Sequence, residues 1–288
     1  MWRCSRGQVW IRPQTPVRDS DVSGAGGHHR RVYYFERLGA SSFRATGHTQ
    51  GAWNTAEQHI APSIGLLAHA VEQHRDHRRD DRLPLARLSY DILGTVPVAD
   101  VDVDVRLIRP GRSIELVEAT LSHAGRDVLV LRAWLMQRFD TAQLAGSGCA
   151  PIPGPAGIPA WNMSGLWRGG FIASAEVRRV EHGLGRATAW VRTDIGLVAG
   201  EAVSPTAATI GLLDIANGLA VRADPAKVVF PNIDLTAHLF AEPRGGWVGF
   251  DTTVSFGPGG LGLTESVIHD ETGPIGSTSQ ILTVRPAQ

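Results

Sequence analysis

The sequence of 288 residues has little cysteine, no excess of either charge and no long apolar run. Its two cysteines, Cys4 and Cys149, are too few for a disulfide framework, which favours a reducing, cytoplasmic location. The 28 basic and 28 acidic side chains cancel, so the net charge gives no indication of a nucleic-acid partner. No segment approaches the roughly 18 uninterrupted apolar residues that a membrane span needs, and we expect no such span.

The first 31 residues lack both a hydrophobic period and the continuous apolar core of a secretory signal. They are rich in Arg, Gly, Ser and Pro. We interpret residues 1–31 as a disordered extension, or as the product of a start placed too far upstream, and exclude them from the fold. Since 43% of the chain is hydrophobic, we expect the remainder to fold around a core.

A segment crowded with Pro and Gly, residues 140–164, divides the rest of the chain and is typical of a linker or surface crossover. The flanking halves, 32–139 and 165–288, are similar in length and in pattern. Each half begins with strand-like segments, continues with one helical segment that contains Gly-Leu-Leu, and ends with several segments in which apolar and polar residues alternate. This duplication predicts an α+β fold in which each half wraps an antiparallel sheet around a central helix.

The two predicted helices differ in polarity. The first, within residues 54–81, becomes highly charged from Glu72 onward, so we expect its last turns to protrude into water. The second, within residues 204–224, begins with Ser204 as the N-cap and Pro205 at the first helical position. Its side chains are apolar or small on nearly every side, which predicts a single buried helix.

Asp214 is the only ionisable residue between positions 202 and 221. Burying a charge costs several kcal/mol unless hydrogen bonds compensate or the pKa rises, so this carboxylate requires an explanation. One explanation is a structural group that bonds a backbone atom or an Arg and fixes the helix. The other is a catalytic acid or base, because perturbed carboxylates gather at active sites.

Two strand-like stretches supply further polar candidates. In FPNIDLTAHLF, residues 230–240, apolar and polar residues alternate, and Thr236 belongs to the polar face. Such a face usually meets water, so a solvated threonine is the alternative to a functional one. In IGSTSQILTV, residues 275–284, Gln280 belongs to a face that becomes apolar further along. A buried amide needs partners, either as a core residue or in a site.

Four short motifs in the second half carry a resemblance. They are Asn-Ile-Asp-Leu-Thr (232–236), Gly-Gly-Trp (245–247), Asp-Glu-x-Gly (270–273) and Ser-Thr-x-Gln (277–280). Together they resemble the carboxy-terminal half of TesB-like acyl-CoA thioesterases of the double hot-dog type. The resemblance covers about residues 33–286 in organisation and implies a double hot-dog fold, with one repeat in residues 32–139 and the other in residues 165–288.

In that family an Asp on the second helix, a Thr or Ser on the next strand and a Gln on the last strand hold the water that attacks the thioester. The resemblance assigns these catalytic roles to Asp214, Thr236 and Gln280, and it implies neither a metal nor another cofactor. A carboxylate can activate water, while a hydroxyl and an amide fix its position. Asp234 shares the polar face of Thr236, and we expect it to be structural.

The predicted helix of the first half supplies the expected substrate contacts. N–H groups at its amino terminus, around Ala61–Gly65, would bind the developing negative charge of the thioester carbonyl, although Pro62 has no N–H to give. We expect His59 and Gly65 to contact the acyl-CoA substrate.

An alignment of the two halves tests whether each could carry a site. It places Arg132 at the position of Gln280 and Ala68 at that of Asp214. The first half therefore lacks the Asp, Thr and Gln set, and we expect one active site per chain, formed mainly by the second half.

The expected activity is hydrolysis of fatty acyl-CoA to free acid and CoA. A non-catalytic acyl-CoA-binding protein of the same fold is the main alternative. A hot-dog hydratase would need an Asp–His pair, and the second helix contains no His. The histidines of the first helix, such as His74 and His77, lie among alternating charges typical of a solvated helix end, which argues against a metal site. Exposed sheet edges in such folds favour a homo-oligomer.

Overall fold

The computed structural model describes residues 32–287, so the interpretation of residues 1–31 lies outside the described residues. The first half consists of two short strands, one long helix and four longer strands that pair antiparallel. Its elements are β1 (Tyr33–Arg37), β2 (Ser42–Ala45), α1 (Ile60–Asp76), β3 (Leu85–Ile92), β4 (Asp100–Arg109), β5 (Ile114–His123) and β6 (Arg126–Met136).

The second half repeats this order with shorter helices, a further helix before its first strand and three additional short strands. Its elements are α2 (Gly170–Ser174), β7 (Ala175–Gly183), β8 (Arg186–Thr193), β9 (Gly196–Val198), α3 (Pro205–Ile210), α4 (Ala216–Leu219), β10 (Val228–Val229), β11 (Asp234–Leu239), β12 (Val248–Phe256), β13 (Leu261–Asp270), β14 (Gly273–Thr283) and β15 (Arg285–Pro286).

Within residues 32–287, thirteen strands form one sheet in the order β7-β8-β12-β13-β14-β11-β3-β6-β5-β4-β2-β1-β9. Antiparallel pairing of β11 with β3 joins the two halves edge to edge, with Thr236 opposite Ser89. The helices pack on the face of this sheet that carries the buried apolar residues. The α+β architecture predicted from the sequence is confirmed.

Helix α1 is buried along most of its length, including the charged end that we expected to protrude. Glu72 is 8% exposed and Arg75 is 6% exposed. Glu72 accepts a hydrogen bond from the Ser204 hydroxyl (2.6 Å), and Arg75 donates to the Leu83 carbonyl (2.8 Å). The expectation of a solvated end is wrong for Glu72 and Arg75, because hydrogen bonds with neighbouring elements compensate these groups for lost water. Asp76, the last residue of the helix, is exposed as expected.

The second helix is broken into α3, a 3-10 turn at Leu213–Ile215, and α4, so the prediction of one continuous helix is wrong. Its start is as predicted, since the Ser204 hydroxyl accepts from the Ala207 N–H (3.0 Å). The break follows Gly211, where α1 crosses. A Cβ added to Gly65 would lie 2.7 Å from the Gly211 Cα, so the two backbones meet where neither residue has a side chain.

Substitution Gly65→Ala should lower the free energy of unfolding by about 1–3 kcal/mol, because the added methyl group would meet backbone that no rotamer change can move. Urea denaturation of both proteins measures the difference. Gly39→Ala is the matched control, since its added Cβ would meet nothing within 4 Å. Equal losses in the two variants would contradict the assignment of Gly65 as a contact between helices.

The segment between the halves packs against the second half. The Trp190 indole donates to the Pro153 carbonyl (2.8 Å), and Ile158 packs with Trp190 and Trp247. A 3-10 turn at Met163–Gly165 follows, and Met163 is buried in the main core. The segment thus supplies a side chain to the interior.

Candidate active site

Asp214 lies in the 3-10 turn between α3 and α4 and is 4% exposed. Its Oδ1 atom accepts hydrogen bonds from Asn232 Nδ2 (2.6 Å) and Gln280 Nε2 (2.8 Å). The two amides come from the residues just before β11 and from the last long strand, β14. They occupy Oδ1, and Asp214 is among the residues that line a pocket.

The environment of Asp214 changes its acidity. Burial raises the pKa of Asp214 to about 7, and the hydrogen bonds from Asn232 and Gln280 oppose this rise only in part. Both protonation states of the carboxyl group are therefore populated near neutral pH. A group with such a pKa can accept a proton and return it during one reaction cycle.

His59 reaches Asp214 from the first half of the chain, although the second helix contains no histidine. Its Nδ1 atom lies 3.5 Å from Asp214 Oδ2. Burial lowers the pKa of His59 to about 3, so the imidazole is neutral at ordinary pH. Because Nδ1 accepts from the Ala61 N–H (3.2 Å), the ring proton is assigned to Nε2. The contact is thus a neutral imidazole beside a carboxyl oxygen and not an ion pair.

Thr236 lies on the opposite face of the sheet, so the structure does not bring it to Asp214, as the catalytic role assigned by the resemblance would require. Its neighbours across the strands are Ser89 and Ser279, and its hydroxyl oxygen lies 3.1 Å from that of Ser89. The flanking Leu235 and Ala237 are fully buried and face the core. Successive strand residues point to opposite faces, so Thr236 is separated from Asp214 by the sheet.

Asn232 occupies the place that we expected Thr236 to fill. It precedes β11, forms an isolated bridge with Leu282, and donates to both Asp214 and the Asp234 carbonyl (3.0 Å). The alternation of polar residues placed Asn232 and Thr236 on one face, but regular pairing starts only at Asp234. The requirement of a buried carboxylate for N–H donors was the signal that could have identified this amide.

Asp234, which we expected to be structural, begins β11. Its Oδ1 atom accepts from the Ile281 N–H (2.6 Å), which fixes the start of β11 against β14. Gln280 is 1% exposed, and its Oε1 atom has no hydrogen-bond partner among the described residues. The structure therefore brings Asp214, Gln280 and His59 together.

The pocket beside Asp214 has a volume of about 140 Å³. His59, Asp214 and Asn232 contribute polar groups to its lining, together with residues of both halves. Gly65, which we expected to contact the substrate, is not among the residues that line this pocket. It lies at the crossing of α1 with Gly211, where its lack of a side chain permits close packing.

Two further observations concern the residues that the structure describes. Across residues 32–287, no three or more His, Cys, Asp or Glu side chains are grouped so that they could hold a metal ion. In the same part of the chain, no helix is both long enough and apolar enough to cross a membrane.

Two family models match the chain. The acyl-CoA thioesterase N-terminal domain matches residues 49–136, and the acyl-CoA thioesterase C-terminal domain matches residues 147–284. The chain belongs to the acyl-CoA thioesterase family. It is accordingly a thioester hydrolase, and the resemblance found in the sequence is confirmed. A comparison with curated proteins finds no match.

Solved structures show the same fold. The chain is similar to a putative thioesterase from Novosphingobium aromaticivorans, with a TM-score of 0.66 and 15% identity over 88% of this chain and 98% of that chain. It is similar to a hot dog fold protein of unknown function from Alicyclobacillus acidocaldarius (0.68 and 13%, over 88% and 96%). It is also similar to an acyl-CoA thioesterase II, TesB2, from Mycobacterium marinum (0.61 and 16%, over 88% and 95%). The predicted hot-dog fold is confirmed.

Proposed function

We propose that this acyl-CoA thioesterase family member hydrolyses fatty acyl-CoA to a free acid and CoA, through attack by a water molecule that Asp214 activates. The observation that carries the proposal is the geometry of the Asp214 carboxyl group. One oxygen is held by two amides, the other lies 3.5 Å from Nδ1 of a neutral imidazole, and Asp214 and His59 both line the pocket. A fixed carboxyl group with a pKa near 7 is suited to general base catalysis.

The first step is formation of a tetrahedral intermediate. Asp214 Oδ2 takes one proton from water as the water oxygen bonds to the thioester carbonyl carbon. Asn232 and Gln280 hold the carboxylate in one orientation throughout, which reduces the loss of freedom needed to reach the transition state.

The amino terminus of α1 supplies a donor for the oxyanion. Ala61 donates its N–H to His59, and Pro62 has no N–H. Among the first three positions of the helix, Ile60 therefore remains, and Ile60 lines the pocket. The proposed donor is therefore the Ile60 N–H, just before the segment Ala61–Gly65, at the positive end of the helix dipole.

The second step breaks the carbon–sulfur bond. The intermediate collapses to the carboxylic acid, and the departing CoA thiolate takes the proton that Asp214 removed from water. The carboxylate is then regenerated for the next cycle. A base with a pKa close to the working pH serves both transfers.

The rate should depend on pH through one group. Activity requires ionised Asp214, so kcat should rise with pH around a midpoint near pH 7 and level off at higher pH, where this carboxyl group is fully ionised. His59 remains neutral over the same range, because its pKa is about 3, so it should add no second transition to the pH profile. Initial rates at saturating acyl-CoA between pH 5 and 9 test this. A flat profile would exclude a base with the acidity of Asp214.

Detection of thiol release from a panel of fatty acyl-CoAs tests the proposed reaction. Saturable binding with stoichiometric recovery of intact thioester would instead support the alternative, a non-catalytic acyl-CoA-binding protein. Mass analysis of the products distinguishes hydrolysis from binding without turnover.

A further inference from the structure

We infer that the acyl group of the substrate is compact, no larger than a single six-membered ring or a chain of about six carbon atoms. This inference rests on the proposed thioester hydrolysis and narrows its substrate class. Its basis is the size of the pocket beside Asp214, the rigidity of its closed side and the aromatic nature of its wall.

The volume sets the limit. An engineered apolar cavity of about 150 Å³ holds one benzene molecule. The pocket beside Asp214 has about 140 Å³ and must also admit the thioester carbonyl if that group is to reach the carboxylate. Only a small acyl group fits in the remaining space without movement of the surrounding side chains.

The closed side of the pocket is formed by buried side chains. Met163, Trp167 and Ile172 line it and are at most 5% exposed. A Cβ added to Gly218 would lie 2.8 Å from Met163 Cε and 3.2 Å from Trp167 Nε1, so both side chains pack directly on the backbone of α4. The Trp167 indole also donates to the Gly218 carbonyl (3.2 Å). A long acyl chain would have to displace these packed groups.

The wall is aromatic. Trp53 and Trp167 line the pocket and pack edge to face, with ring centroids 5.0 Å apart and planes at 80°. Phe230 supports both rings from behind, at 5.3 Å from Trp53 and 5.8 Å from Trp167. Trp53 is 38% exposed, which marks the open side of the pocket. Such a wall offers apolar contact to a ring or short chain.

The test measures kcat/KM for acetyl-, butyryl-, hexanoyl-, benzoyl-, phenylacetyl-, octanoyl-, lauroyl- and palmitoyl-CoA. The highest value should belong to a compact member of the panel, and lauroyl-CoA should be lower by about 10²-fold or more, since one methylene group too many in a well-packed apolar pocket costs about tenfold or more. The substitution Met163→Ala should move the maximum toward longer acyl groups. Met163→Val, a smaller change, should move it in the same direction by less.

Leu166→Ala is the matched control. Leu166 follows the same 3-10 turn, is 43% exposed and does not line the pocket, so the acyl preference should not change. A maximum at lauroyl- or palmitoyl-CoA in the unmodified protein would overturn the inference while leaving the proposed hydrolysis intact. A preference for compact acyl groups that neither Met163 variant alters would overturn the assignment of Met163 to the closed side of the pocket. Absence of thiol release from every member would reject the proposed function itself.

Discussion

Substitution Asp214→Asn is expected to lower kcat for thiol release by about 10²–10⁴-fold, the range that a positioned general base contributes. An asparagine retains an oxygen that can accept from Asn232 and Gln280, so the hydrogen bonds that hold this turn can persist. It cannot take a proton from water. The substitution therefore removes the chemistry while preserving the shape of the site.

Two further measurements separate loss of catalysis from loss of folding. Circular dichroism and binding of a non-hydrolysable acyl-CoA analogue should match those of the unmodified protein. Gln280→Glu is a useful companion, because a second carboxyl group beside Asp214 should raise the pKa of the pair and shift the pH profile upward. Full activity of the Asp214→Asn variant would show that Asp214 has only a structural role.

The same variant has an expected effect on stability. In the folded protein the pKa of Asp214 is about 7, against an ordinary value of 3.8, so the folded state binds more protons than the unfolded state between these values. Stability conferred by protonated Asp214 is complete below about pH 4 and is lost as pH rises toward 7. Ionisation in place costs on the order of 4 kcal/mol. Asp214→Asn should therefore be more stable than the unmodified protein at pH 8, with the advantage absent near pH 4.

Asn232→Ala should lower kcat by about 10–100-fold, because a hydrogen bond to a charged group contributes about 1.5–3 kcal/mol. The loss of this donor should also raise the pKa of Asp214, since the bond from Asn232 favours the ionised form. The midpoint of the pH profile should therefore move to higher pH. A residue that only stabilised the fold would not produce that shift.

Thr236→Ala is the matched control for Asn232→Ala. Its hydroxyl group lies on the other face of the sheet beside Ser89, so kcat and the pH midpoint should change by less than about twofold. The opposite pattern, with a large loss for Thr236→Ala and none for Asn232→Ala, would restore the assignment made from the sequence.

The error at Thr236 shows the limit of a strand pattern. Alternation correctly places Leu235 and Ala237 in the core, and it correctly puts Thr236 on the other face. It does not say where the first regular strand residue is. Because Asn232 precedes β11, its side chain is directed by the local backbone and can turn toward Asp214, whereas Thr236 cannot.

The sequence alone determined the duplicated α+β layout, the Ser204 cap and the requirement that a buried Asp214 carboxylate have hydrogen-bond donors or a raised pKa. Periodicity, capping and the cost of burying a charge are local properties. The tertiary structure decided that Asn232, Gln280 and His59 meet at this carboxyl group. It also decided that the second helix breaks. These features depend on the crossing of α1 with the second helix and on strand pairing between residues distant in the chain, which no local pattern encodes.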